Sequence, residues 1–188
     1  MSQFEFVMVM VSLILALALA QALRGLCEVV TSQNRYWPLT PWLAIYVLQI
    51  TQVWWAYWDF NAVDRWRFTT YIMALTPPII IFAAIYLLVP ATRSFEFDWC
   101  QQFHKVRQFF FGLGIALVLA GIFVNVEYFG TPLVHPYRVV QGSAFAIFLA
   151  GLLTSSATVH RVLPILFLIV MVTSQFLLRL NIGAMMAE

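Results

Sequence analysis

Charge is the scarcest feature of this sequence. Asp, Glu, Lys and Arg make up 10% of the 188 residues, where an ordinary soluble domain carries about 25%. The net charge of +2 comes with no basic stripe, which excludes a nucleic-acid binder. Lys and Arg stand singly or in pairs near the ends of apolar segments. Cysteine is nearly absent, and Cys27 and Cys100 make no disulfide framework. The three histidines, His104, His135 and His160, fall in or beside loops. A membrane haem site needs histidines facing one another within the spans, so no cofactor is expected. No metal site is expected either, since HExxH is missing. Gly142-Ser143-Ala144-Phe145 lacks the second glycine of a nucleophile elbow. No acidic pair lies within one apolar segment at a spacing suited to metal-dependent lipid transfer. Enzymatic activity is therefore not expected.

Apolar sequence is what remains. The chain is 63% hydrophobic and 16% aromatic, with mean hydropathy +0.88. Crossing about 30 Å of hydrocarbon takes about 20 mostly apolar residues. Segments of that kind run at about Phe6–Leu23, Pro41–Trp58, Thr69–Val89, Phe109–Val126, Val139–Ala157 and Val162–Leu180. The expected fold is all-α: one polytopic bundle over residues 1–188 with six transmembrane spans, its main partner the lipid bilayer. Ala18-Leu19-Ala20 imitates a signal-peptide cleavage site, but Glu5 stands where a basic n-region belongs. The first segment is therefore expected to be a retained span.

Breakers agree with these boundaries. Pro38 and Pro41 open the second span, Pro90 closes the third, and Pro132 and Pro136 precede the fifth. Asp64 is placed to cap the third. Between the last two spans only residues 158–161 intervene, with Thr158, His160 and Arg161 as their polar members, which predicts a tight hairpin. From Ser94 to Arg107, Phe95, Trp99, Phe103 and Val106 recur at helical spacing opposite Glu96, Gln101, His104, Lys105 and Arg107. This predicts a short interfacial amphipathic helix over 94–107, capped by Ser94.

Arg24, Arg35, Arg93, Lys105, Arg107 and Arg161 fall on one side of the bundle, against Arg65, Arg67, Arg138 and Arg179 on the other. The positive-inside rule then puts both termini outside, in the periplasm of a bacterium. Trp37, Trp42 and Trp99 lie toward one interface, and Trp54, Trp55, Trp58 and Trp66 toward the other, as aromatic belts should.

Several residues are candidates for a path or pocket. Ser12, Ala16, Ala20, Arg24 and Glu28 form a stripe at i+4 spacing, expected to face the bundle, since small residues allow close approach in lipid. Arg24 and Glu28 are spaced as an ion pair at its end, either structural or a gate. Gln49 and Gln52 sit one turn apart in the second span. Thr76, Pro77 and Pro78 lie at similar depth in the third. Each proline leaves the carbonyl four residues back without its donor, here those of Met73 and Ala74. The glutamines then either line a midplane pocket beside a broken helix or satisfy the freed carbonyls. Thr173-Ser174-Gln175, with Arg179 beyond, extends such a pocket. Asp59, Asp64, Glu127, Arg65, Arg67, Arg138 and Arg179 form a mixed-charge vestibule or scattered headgroup-level charges. Gly142, Ala146 and Ala150 form a packing face, within the chain or between copies. Glu28 and Glu127 hint at an inverted repeat, too weakly to use.

Leu23-Arg24-Gly25-Leu26, Trp54-Trp55-Ala56-Tyr57-Trp58, Trp66-Arg67-Phe68, Leu87-Leu88-Val89-Pro90 and Arg107-Gln108-Phe109-Phe110-Phe111-Gly112 together resemble an uncharacterised family of small bacterial six-helix inner-membrane proteins. The likeness covers about the first two-thirds of the chain. It implies a bacterial inner-membrane bundle and carries no activity or site. The leading functional expectation is a channel or transporter for a small solute or ion. Its path would run between the first three helices, with Gln49 and Gln52 as lining and Arg24–Glu28 as the inner closure. The rival is a non-enzymatic accessory, assembly or sensor subunit of a larger membrane complex, or a homo-oligomer.

Overall fold

The computed structural model describes residues 2–63, 66–91 and 97–178. They form six α-helices: α1 Gln3–Thr31, α2 Leu39–Ala56, α3 Phe68–Leu88, α4 Trp99–Glu127, α5 Pro136–Leu153 and α6 Ala157–Leu178. A 3-10 helix, Tyr57–Ala62, follows α2 directly. No strand occurs among the described residues. The expected caps Asp64 and Ser94, and the charges Arg65, Arg93, Glu96 and Arg179, lie outside the described residues.

Five helices are long and apolar enough to cross a membrane; α2 is not among them. It has 18 residues, but Gln49, Gln52 and its tryptophans dilute its hydropathy. Large apolar side chains point outward on the others, including Leu17, Ile79, Phe109, Leu119, Ile169 and Phe176. Such a surface is costly in water and natural in lipid.

Helix starts follow local chemistry. Ser2 and Glu5 form a capping box, with Ser2 N–H donating to Glu5 Oε2 at 2.7 Å and Glu5 N–H to Ser2 Oγ at 3.1 Å. The carboxylate that spoils a signal peptide thus serves the first turn. Asp98 accepts from the N–H groups of Cys100 and Gln101 at 2.9 and 3.0 Å. From there α4 runs as one continuous helix of 29 residues. This corrects the expected interfacial helix over 94–107: its described part from Trp99 on is the first turns of α4. The apolar periodicity was real, but it faces protein. Trp99, Phe103 and Val106 are buried and continue into Phe110.

Three further expectations change. The first helix buries Val7, Val11, Leu15, Ala18, Ala22, Gly25 and Val29, while Ala16, Ala20 and Arg24 are exposed and Ser12 and Glu28 half-buried. Two sets of small residues run along α1 two positions apart, so about 200° around the helix, on nearly opposite faces. The charges that extend one set do not make it the packed set. At Gly25 a Cβ would clash with Val89, so the glycine allows α1 and the end of α3 to touch. Second, Pro77 and Pro78 sit inside an unbroken α3. The Ala74 carbonyl that Pro78 frees accepts the buried Tyr57 hydroxyl rather than a glutamine. Third, Gly142, Ala146 and Ala150 are exposed; the packed face of α5 is Ala144, Phe148 and Gly151.

The remaining ends are closed by polar side chains. At the end of α3, the Leu87 carbonyl accepts from Gln102 Nε2 at 2.8 Å, and that of Val89 from Gln21. Gly130, at φ 63°, turns the chain off α4 in a left-handed conformation that glycine adopts without strain. Thr131 N–H then returns to the Asn125 carbonyl at 2.9 Å.

Candidate functional site

A partly open cavity of about 210 Å3 lies between α2, α4, α5 and α6. Tyr57 and Phe60 of the 3-10 helix and Pro77 of α3 complete its wall, and no described residue of α1 reaches it. The expected path between the first three helices is therefore displaced. The space opens on the side of α2 that faces α4, α5 and α6.

Gln49, Gln52 and Pro77 share this wall. Ser174 also lines it, while Thr76, Pro78, Arg24 and Glu28 do not. Thr76 Oγ1 donates to the Ile72 carbonyl at 2.9 Å, a bond within its own helix. Arg24 lies toward the far end of α1 and donates to Gln21 Oε1 at 2.7 Å.

Two wall residues escaped the sequence reading. Asn125 of α4 is 8% exposed, and Gln141 of α5 lies across from it. Asn125 had a usable signal: a lone amide in an apolar run is expensive in hydrocarbon unless it faces the interior. Gln141 was hidden by its nearness to the start of α5.

The polar groups are not equivalent. Gln141 Oε1 accepts from Arg138 at 2.6 Å, and Arg138 also reaches the Thr131 carbonyl at 3.2 Å. Ser174 Oγ donates to the Met171 carbonyl at 2.7 Å. Tyr57 is held by Ala74. By contrast, the side-chain amides of Gln49, Gln52 and Asn125 make no hydrogen bond to any described residue, and they open onto the cavity. Among the described residues, no Asp, Glu, Lys, Arg or His lines the cavity.

Phe148 and Phe167 line the space on its side toward Trp42. Behind them stands Trp42, fully buried, with ring centroids 5.3 Å from Phe110, 5.8 Å from Phe111, 5.9 Å from Phe148 and 5.8 Å from Phe167. Glycines let this cluster interlock: a Cβ at Gly151 would strike the Phe111 ring, and one at Gly114 the Phe148 ring.

Beyond the cluster, the hairpin between α5 and α6 is tied down. Arg107 donates to the Thr154 carbonyl, and His160 Nε2 lies 3.1 Å from the same oxygen and 3.4 Å from Arg107. His160 is fully buried and stacks on Phe111 at 5.5 Å. His104 and His160 approach to 6.1 Å between ring centroids, a meeting that their loop placement in sequence did not announce. No group of three or more metal-ligating side chains occurs among the described residues. In the linker between α1 and α2, burial pushes the Tyr36 phenol above its ordinary value, Cys100 adds to this, and Arg161 opposes it.

No family model, curated protein or solved structure matches this chain.

Proposed function

We propose that this chain is a six-span protein of a bacterial inner membrane that binds a small solute inside the bundle and carries it across. The observation behind this reading is the cavity wall on which the amides of Gln49, Gln52 and Asn125 are left without partners. Amides at membrane depth are costly against lipid and are kept where they face an interior space, so three of them around one cavity favour an occupant that bonds to them. α2 supplies the sixth span, since its glutamines face this space rather than lipid. The same wall argues against an ion path, which would need charged groups or a ring of carbonyls. The excess of Lys and Arg at the α1–α2, α3–α4 and α5–α6 linkers supports periplasmic termini.

Because the aromatic cluster closes the Trp42 side of the cavity, passage in that direction requires a second conformation in which the cluster parts. Binding from one side followed by such a change is the carrier mode rather than an open channel. The test is flux in liposomes with Gln49→Leu/Gln52→Leu. The variant should fold normally and lose transport. Collapse of expression would show the glutamines to be structural and would end the carrier reading.

A second reading has one specific observation in its favour. Gly142, Ala146 and Ala150 are exposed along one side of α5, a face suited to another transmembrane helix in an oligomer or larger assembly. Gly142→Leu in native membranes tests it, since loss of a co-purifying subunit would favour that reading.

A further inference from the structure

We infer that the cavity takes a neutral, one-ring molecule whose edge both donates and accepts hydrogen bonds, such as an aromatic carboxamide, a lactam or a phenol. This deepens the carrier reading and rests on the cavity being its binding site.

Size sets the first limit. An apolar cavity of about 150 Å3 holds one benzene ring, and the space here is about 210 Å3. That is room within the walls for one ring with a small substituent. Charge sets the second. With no Asp, Glu, Lys, Arg or His among the described residues of the wall, a charged ligand would lose its hydration without a countercharge from them. Hydrogen-bond inventory sets the third. A carboxamide offers two donors on nitrogen and two acceptor sites on oxygen. Gln49, Gln52 and Asn125 keep both kinds fully available, whereas Gln141 has one of its two acceptor sites taken by Arg138. A ligand that only accepts leaves the amide oxygens unmet, and a hydrocarbon leaves every group unmet. Shape sets the fourth. Phe148 and Phe167 present rings on the side toward Trp42, and Phe60, Phe129 and Tyr137 stand elsewhere on the wall. A flat apolar body packs against such faces while its polar edge turns to α2 and α4.

The competing occupants are a lipid acyl chain and water alone. The three amides argue against the chain, which would bury them unpaired. The aromatic surface argues against water alone, since most of the wall offers it no bond.

The test is a binding titration of the full-length protein in lipid nanodiscs with four probes of matched size: benzamide, toluene, benzoate and benzylammonium. Benzamide is expected to bind at least tenfold more tightly than each of the others. Gln52→Glu is expected to reverse the order, so that benzylammonium becomes the preferred probe. Gly121→Phe fills the cavity from a position where a Cβ meets only Gln141 Nε2, at 3.9 Å, and should abolish binding. If either charged probe binds as tightly as benzamide, and Gly121→Phe abolishes it, the ligand class is wrong and the binding site stands. Toluene binding as tightly as benzamide, again lost in Gly121→Phe, would identify an acyl-type occupant and likewise overturn the class. If no probe binds, or if Gly121→Phe leaves binding intact, both the class and the site are overturned. Gln52→Glu alone decides the matter should Gly121→Phe fail to fold.

Discussion

The two halves of this bundle use the same helices in opposite ways. Toward the linkers that join α1 to α2 and α5 to α6, Trp42, Phe103, Phe110, Phe111 and His160 are packed to nearly zero exposure. Toward the 3-10 helix, α2, α4, α5 and α6 part around a cavity with amides on its wall. Trp42 and Gln49 lie two turns apart on one helix, one in the closed half and the other at the opening. The difference comes from side-chain size facing glycine. Phe111 fills the notch at Gly151, and Phe148 the one at Gly114. At Gly121 no ring enters, and the space stays open. In lipid, where helices gain little from hydrophobic burial against one another, van der Waals fit decides which regions close.

The largest expected effect is therefore in the closed half. Trp42→Ala removes a ring in contact with four others and should cost about 3–5 kcal/mol, read by reversible unfolding in detergent. Phe111→Ala should approach the same range and also loosen His160. Gly151→Val overfills the Phe111 notch and should cost about 1–3 kcal/mol.

Next comes the boundary between the halves. Tyr57→Phe deletes the hydroxyl that meets the Ala74 carbonyl and should cost about 1–3 kcal/mol. The same change in a variant with Pro78→Ala should cost less, because the Ala74 carbonyl regains its backbone donor. A double-mutant cycle measures that difference directly.

The smallest stability effect belongs to the open half. Gln49→Leu/Gln52→Leu breaks no hydrogen bond within the chain, so it should shift stability by less than about 1 kcal/mol while removing ligand binding. A similarly small change is expected for Gly142→Leu in the isolated protein, since nothing lies within 4 Å of a Cβ there. If the glutamine variant proved as damaging as Trp42→Ala, the contrast between the halves would fail.

Much of this was readable from the sequence, and the misses have physical causes. Helices announce themselves through apolar length, and Pro38, Pro90 and Pro136 mark boundaries that the structure keeps. Gln49, Gln52 and Pro77 stood out as polar or donor-deficient groups in apolar runs, and all three reach the cavity wall. Which face of a helix packs inward was harder. On α1 the inward face is Ala18, Ala22 and Gly25, and the rival set of Ala16 and Ala20 has the same composition. In a membrane protein both faces are apolar, so periodicity loses the contrast it has in water. Long-range partners were out of reach for the same reason. Nothing local predicts that Tyr57 caps Ala74, or that Arg107 and His160 close on Thr154, because those pairings depend on the fold as a whole.

The most direct test of the two-halves account is thiol labelling along α2. With Cys27 and Cys100 replaced by serine, Leu43→Cys and Gln52→Cys place one reporter in each half. A membrane-permeant methanethiosulfonate reagent should modify Gln52→Cys at least tenfold faster than Leu43→Cys, and benzamide should slow it. Equal rates at the two positions, or a Gln52→Cys rate that benzamide leaves unchanged, would contradict the account.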